Sequence, residues 1–355
     1  MDKYWKYRAD RKVIFGDKSS DEALKVMSQT YKDSFANIKK EIEAFYGRYA
    51  KESGITIEEV HKRLNPAELK SWKEETKRYY DFVDKFIRNN NGKVDKNLLR
   101  KYQQELRDLS ARSYISRLEE LKASIKNEVI KLGMQENVEF YDKFYKVYND
   151  TYINTNFDID KFMGFSTGFE KLNEKKIEQV LKEKWLDENY SDRIWKNKQN
   201  LFNQLDTTFM QGVAQGWNSK KIADAMAKKY GTSYYNCERL CRTEMGHFMG
   251  EATAEGYRQH NIKQYQFVCT LDERTCPICG VLDGKVFDVK YKEEGVNYPE
   301  LHPNCRCTTI PYFKPDEIDA MFDESERIAR ENGNGNWYEI PSNMTYEQWI
   351  KTVYK

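Results

Sequence analysis

Leu24, Met27, Tyr31, Phe35, Ile38, Ile42, Phe45 and Tyr49 recur at spacings of three and four. That is the period of an apolar stripe along one face of a helix about seven turns long. A second long pattern runs from Leu98 to about Leu132 and is expected to stop at Gly133. Thr56–Glu59 reads as a capping box, and Asn65-Pro66 as an N-cap followed by proline at the first helical position. The "NNNGK" run at 89–93 reads as a turn. Charged side chains fill the remaining faces, as expected of solvated helix surfaces. The glycines in "FMGFSTGF" (162–169) break the pattern. Helical periodicity resumes in "KKIEQVLKEKWL", "RIWKNKQNLFNQLDTTFMQGVAQGW", "SKKIADAMAKKY" and "NCERLCRTEMGHFMGEATAEGYRQH". Gly216 and Gly231 read as stops, and Asn218 or Ser219 as the next N-cap.

From Tyr265 the period changes. "YQFVC" and "GKVFDV" read as strands joined through the Asp283-Gly284 turn. Proline marks the same shift, because only Pro66 precedes Pro277. The expected fold is therefore mainly α. An elongated N-terminal bundle or stalk (1–165) precedes an α+β domain (166–315), whose small metal-stapled region spans 265–313. Residues 316–355 carry nine acidic and four basic side chains. They read as an acidic helix, a flexible link at "NGNGN" and a short docking segment around "YEQW".

The 355 residues are polar, with 33% charged, yet 14% are aromatic, which separates them from disordered chains. A net charge of +2 provides no bulk attraction to nucleic acid or membrane. No run approaches the roughly 18 apolar residues of a membrane span, and no hydrophobic leader follows the first methionine. A reducing cytoplasm is the expected compartment. There, seven cysteines at close spacings favour a metal over disulfides.

Cys276-Pro-Ile-Cys279 supplies two thiolates from one tight turn, with Gly280 permitting it. A second pair follows, either His302 with Cys305 or Cys305 with Cys307. Zinc prefers four such donors in a tetrahedron. The set Cys276, Cys279, His302 and Cys305 gives each half two intervening residues; Cys305 with Cys307 is the rival. Catalysis asks for more. Zinc deaminases require His-x-Glu and Pro-Cys-x-x-Cys, but His302 precedes Pro-Asn and the proline lies inside the CxxC. A His-Asn-His nuclease needs more histidine than this region has. The expectation is a closed, structural Zn2+ and no enzyme activity, with a zinc-dependent nuclease or peptidase as the alternative and a cellular helical scaffold as a third reading.

Upstream, Glu244, His247 and Glu251 share one helix face, a pattern more often paired or solvated than catalytic. Arg242 and Glu244 are expected to anchor this helix to the stapled region. Cys237, Cys241 and Cys269 are expected in the core.

The helical stretch from Arg193, then "CRTEMGHFMGEATAEGY", "TLDERTCPICGVLDGKVF" and "LHPNCRCTTIPYF" resemble, in order, the phage Mu F-like minor head proteins, also called head morphogenesis proteins. The resemblance covers about 190–313. It implies a low-copy component of a tailed-phage virion, in the capsid interior with the portal, contacting portal, capsid or scaffold proteins. Some relatives bind double-stranded DNA without sequence preference and leave with it. A modest charge asymmetry accompanies this expectation: +7 over residues 1–315 against −5 in the tail. The cluster positions are Cys276, Cys279, His302, Cys305 and Cys307; the helix motif is Arg242, Thr243 and Glu244. No catalytic role comes with them.

Overall fold

A computed structural model describes residues 2–51, 66–90, 92–111, 117–164, 168–169, 171–215, 217–270, 275–314, 328–330 and 337–339. Seven long or medium helices come first: α1 (Asp2–Lys51), α2 (Pro66–Asn89), α3 (Lys96–Ala111), α4 (Arg117–Met163), α5 (Glu174–Lys182), α6 (Tyr190–Ala214) and α7 (Ser219–Gln259). Strand β1 (Gln264–Val268), the four-residue α8 (Pro277–Gly280), β2 (Val286–Asp288) and β3 (Thr308–Tyr312) follow, then β4 (Ile328–Arg330) and β5 (Trp337–Glu339). The expectation of a mainly helical chain with a small β region holds. No helix among the described residues is long and apolar enough to cross a membrane.

The stripe on α1 is real: Leu24, Met27, Tyr31, Ile38, Ile42 and Phe45 are buried and Phe35 is half-buried. Asn218 caps α7, its Oδ1 accepting from Lys221 N at 2.8 Å. Pro66 opens α2. The capping box at Thr56–Glu59, Asn65 and Gly216 lie outside the described residues. Two expected stops are corrected. Gly133 lies inside α4 and Gly231 inside α7, so "SKKIADAMAKKY" and "NCERLC" belong to one helix. A lone helical glycine costs about 1 kcal/mol relative to alanine, too little to end helices that bury residues all along their length. In the tail, residues 328–330 form a strand paired with 337–339; the rest of the expected acidic helix, the "NGNGN" link and the "YEQW" segment lie outside the described residues.

The chain divides into two compact units, each assembled from separated segments. One comprises Ala23–Asp142 and Lys184–Glu238. Its core includes Tyr79 and Val83 of α2, Leu99 and Leu106 of α3, Ile130 and Met134 of α4, and Trp195 of α6. It also buries an ion pair. Lys198 Nζ lies 2.6 Å from Glu136 Oε2 and donates to the Tyr31 hydroxyl, which in turn donates to Glu136 at 3.0 Å. Mutual pairing is what allows both charges to be desolvated.

The other unit comprises Met1–Glu22, Lys143–Glu183 and Arg239–Lys355. Its core joins Trp5 and Ala9 of α1, Ile159 of α4, Ala254 and Tyr257 of α7, Tyr265 of β1, Tyr298, Ile310 of β3 and Phe313. Strand order is β2-β1-β3, all antiparallel, with Tyr265 opposite both Phe287 and Pro311. Tyr265 and Phe267 alternate inward, as a half-buried strand requires. Gly284, at φ +75°, turns the chain into β2, and its N–H bonds Phe267 O at 2.8 Å.

A Cβ on Gly133 would lie 2.7 Å from the Trp195 ring, whereas one on Gly231 meets nothing within 4 Å. Gly231→Ala is therefore expected to stabilise the protein by about 0.5–1 kcal/mol. Gly133→Ala is expected to destabilise it by about 1–3 kcal/mol despite the same gain in propensity. Urea unfolding of the two variants beside the parent checks the opposite signs.

Candidate metal centre

The first half of the site is a capped turn. Cys276 is the N-cap of α8, its Sγ accepting from Cys279 N at 3.4 Å, with Pro277 at the first helical position. Gly280 N closes the turn on Cys276 O at 2.9 Å. The second half is the His302–Cys305 turn, closed by Cys305 N on His302 O at 3.1 Å, with Asn304 at φ +60°. Residues flanking the first half are tied to each other and to the second: Cys269 N bonds Asp283 Oδ1 at 2.8 Å, and Thr270 Oγ1 donates to Arg306 O at 2.6 Å.

The donors converge. His302 Nε2 lies 3.1 Å from Cys276 Sγ and 3.2 Å from Cys279 Sγ, and Cys279 Sγ lies 3.8 Å from Cys305 Sγ. Two triplets have all their ligand atoms within 4.8 Å of one another: Cys276, Cys279 and His302, and Cys279, Cys305 and Cys307. Such groups could hold a metal ion. Bonds of about 2.3 Å to sulfur and 2.0 Å to nitrogen set tetrahedral edges of roughly 3.8 Å (S···S) and 3.5 Å (S···N). The Cys279–Cys305 edge fits, and the histidine edges are a few tenths short. His302 is oriented for ligation, because Nδ1 faces Pro303 O at 2.9 Å. A carbonyl only accepts, so the proton belongs on Nδ1 and the Nε2 lone pair faces the sulfurs.

Charge is unevenly shared among the thiols. A hydrogen bond from Cys307 pulls Cys305 down to about 5, while the same bond pushes Cys307 upward. The Cys279 backbone N–H lowers Cys276, and burial raises Cys279. A divalent cation would displace the remaining protons as it binds. One sulfur was placed only in the core by sequence reasoning. Cys269 is buried, but its Sγ is also 3.6 Å from Cys307 Sγ and donates to Cys279 O at 3.0 Å. Its position at the exit of β1, seven residues before Cys276, is the signal that could have found it.

Helix α7 is the seat for the second half. Thr243 Oγ1 accepts from Asn304 N at 3.0 Å while donating to Arg239 O. Four residues on, His247 Nδ1 meets both oxygens of Glu294 at 3.0–3.1 Å, and Glu251 pairs with Lys292. The Glu244–His247–Glu251 face is thus engaged with residues 292–300. Arg242, expected to anchor the stapled region, pairs instead with Asp21 of α1 at 2.8 Å; Thr243 makes the anchoring bond. Glu244 is fully buried, as are Cys237 and Cys241. Gly246 and Gly250 bring backbone close: a Cβ on Gly246 would lie 1.8 Å from Glu300 Oε1, and Tyr298 Oη donates to Gly250 O at 2.8 Å. Glu300, not anticipated from sequence, is buried with Oε2 unpartnered. Burial first, then the charges of Cys305, Glu294 and Glu244, raises its carboxyl well above the usual range.

Residues 203–310, which include both cysteine-bearing turns and the α7 seat, match the family model described as Phage Mu protein F like protein. Over this stretch the chain is similar to the phage Mu F-like family. That match points to phage head morphogenesis. No curated protein and no solved structure matches the chain.

Two comparisons follow from this geometry. Cys279 belongs to both triplets, so Cys279→Ser is expected to lower metal content at least tenfold, as read by elemental analysis of the purified full chain. Cys307→Ser separates the ligand sets: retention of the metal assigns the fourth place to Cys305, with Cys276, Cys279 and His302. Gly246→Ala is expected to destabilise the chain by about 1–3 kcal/mol through displacement of the Glu300 carboxyl. Gly250→Ala, with 3.2 Å to the Tyr298 ring, is expected to cost less. Thermal melts rank the pair.

Proposed function

We propose that this phage Mu F-like protein is a minor head component of a tailed bacteriophage, present in few copies in the capsid interior beside the portal, and that its cysteine cluster holds one structural zinc. The supporting observation is that the family match spans both halves of the cluster and the helix on which they are seated. Cys276, Cys279, His302 and Cys305 would complete a tetrahedron and leave no coordination place for a substrate water, which favours a structural over a catalytic ion. The zinc would hold a region whose local apolar cluster is Phe267 packed with cysteines. Portal, capsid and scaffold proteins are the proposed partners, met in the host cytoplasm during assembly.

Double-stranded DNA is a further proposed partner, bound without sequence preference and leaving the head with the protein. The supporting feature is the +7 of residues 1–315, set against −5 in the tail.

Mass spectrometry of purified virions is expected to find the chain in few copies relative to the major capsid protein; its absence from virions overturns the proposal. Binding to duplex DNA is expected at low salt and to weaken steeply as salt rises, because phosphate contacts release counterions. No binding at low salt removes the DNA partner. A zinc-dependent hydrolytic activity that disappears in a well-folded Cys279→Ser chain would replace the structural reading with an enzymatic one.

A further inference from the structure

Three cations on α1 line a cavity away from the cysteine cluster. Arg8, Arg11, Lys12 and Phe15 stand at i, i+3, i+4 and i+7, one helical face. Thr151, Asn154 and Asp158 do the same on α4, with Phe157 beside them. Together they enclose about 120 Å³, roughly four water volumes at about 30 Å³ each. That space suits a tetrahedral oxyanion, one central atom and four oxygens.

The lining has more positive charge than it neutralises. Arg8 Nη1 pairs with Asp158 Oδ1 at 3.1 Å. Lys12 Nζ donates to Thr253 Oγ1 at 3.0 Å, a neutral partner. With Arg11 the count is three cations against one carboxylate. Burial lowers Lys12 to about 8, with the Asp158 charge only partly opposing it. Burial raises Asp158 to about 6 although Arg8, Lys12, Arg11 and Lys161 all act to lower it. Two donors are also unspent. Arg8 Nε and the hydroxyl of Thr151, a residue only 2% exposed, are buried without a hydrogen-bond partner. Buried donors of this kind cost free energy unless something accepts from them.

We propose that this cavity is a binding site for a phosphoryl-type dianion, held by Arg8, Arg11 and Lys12 and by the Thr151 hydroxyl. Guanidinium groups present paired N–H donors that match tetrahedral oxyanions, and lysine adds a compact charge. A dianion would offset the excess of two charges and accept from both unspent donors. The assignment is independent of the metal centre and of the head-protein reading. The phosphoryl group could come from a free anion or from a nucleic-acid backbone, and the test separates these sources.

The experiment is calorimetric titration of the full chain with inorganic phosphate and with sulfate, at ionic strength held constant with chloride. Saturable binding of both is expected. Lys12→Met should weaken it at least tenfold and Thr151→Val about threefold, while Thr151→Ser retains it; unchanged thermal melts confirm folding. A phosphate-end-capped duplex is then titrated into the phosphate-loaded chain. Displacement of phosphate, with duplex affinity also reduced by Lys12→Met, assigns the group to nucleic acid; no displacement assigns it to a free anion. Absence of saturable phosphate and sulfate binding, or binding indifferent to both Lys12→Met and Thr151→Val, overturns the site.

Discussion

The bare Cα of Gly246 against the carboxyl of Glu300 is the contact on which the cysteine-rich region depends. Because no side chain intervenes, residues 294–304 lie directly on α7, and Thr243 can reach the backbone of Asn304. That bond fixes a residue at φ +60° in the middle of the His302–Cys305 turn. The turn in turn sets where Nε2 of His302 and Sγ of Cys305 stand relative to Cys276 and Cys279. A close approach three and seven residues beyond Thr243 on one helix face, at Gly246 and Gly250, therefore determines the geometry of the candidate ligands some fifty residues later. Bulk at either position acts on the cluster through packing, without touching a ligand.

Buried ionisable groups around this seat carry opposite tendencies. Glu300 is raised by burial and by its acidic neighbours. Glu294 lies beside His247 and Lys292, whose combined bonds and charges outweigh its burial and hold it low. Two carboxyls pushed in opposite directions thus share a small volume, which lessens the cost of burying two like charges. The thiols divide similarly, with Cys305 low and Cys307 high. An ion held by these thiols would add folding free energy to what side-chain burial there supplies.

Much of the site was legible because its chemistry is local. The CxxC turn, the His302–Cys305 turn and Asp283-Gly284 each depend on residues within one turn of chain, so spacing reveals them. The stripe on α1 was legible for the same reason. Gly133 and Gly231 were misread because a glycine's local penalty is small beside the packing of a long helix. Strand β3, Glu294, Glu300 and the Cys269–Cys307 contact depend on partners far along the chain, and periodicity identifies a face without naming what covers it. The cationic cavity escaped notice for that reason too: Arg8, Arg11 and Lys12 read as an ordinary solvated helix face until Thr151 and Asp158 lie opposite.

The division of the chain into units gives this distance a physical form. Both units draw on segments well separated in sequence, by the 120 residues between Glu22 and Lys143 in one and by the 41 between Asp142 and Lys184 in the other, and the division cuts α1 after Glu22, α4 after Asp142 and α7 after Glu238. Closing such long loops is entropically costly, and non-local contacts must repay that cost. In the unit that bears the cluster, the repayment is visible in specific bonds: Arg242 to Asp21, Lys12 to Thr253, and His260 Nε2 to Asp160 at 2.8 Å. His260 Nδ1 also faces a carbonyl, that of Gly256, so the ring confronts two acceptors. The Asp160 bond joins the end of α7 to α4. The cysteine-rich strands thus begin from a helix end already held in place by side-chain bonds.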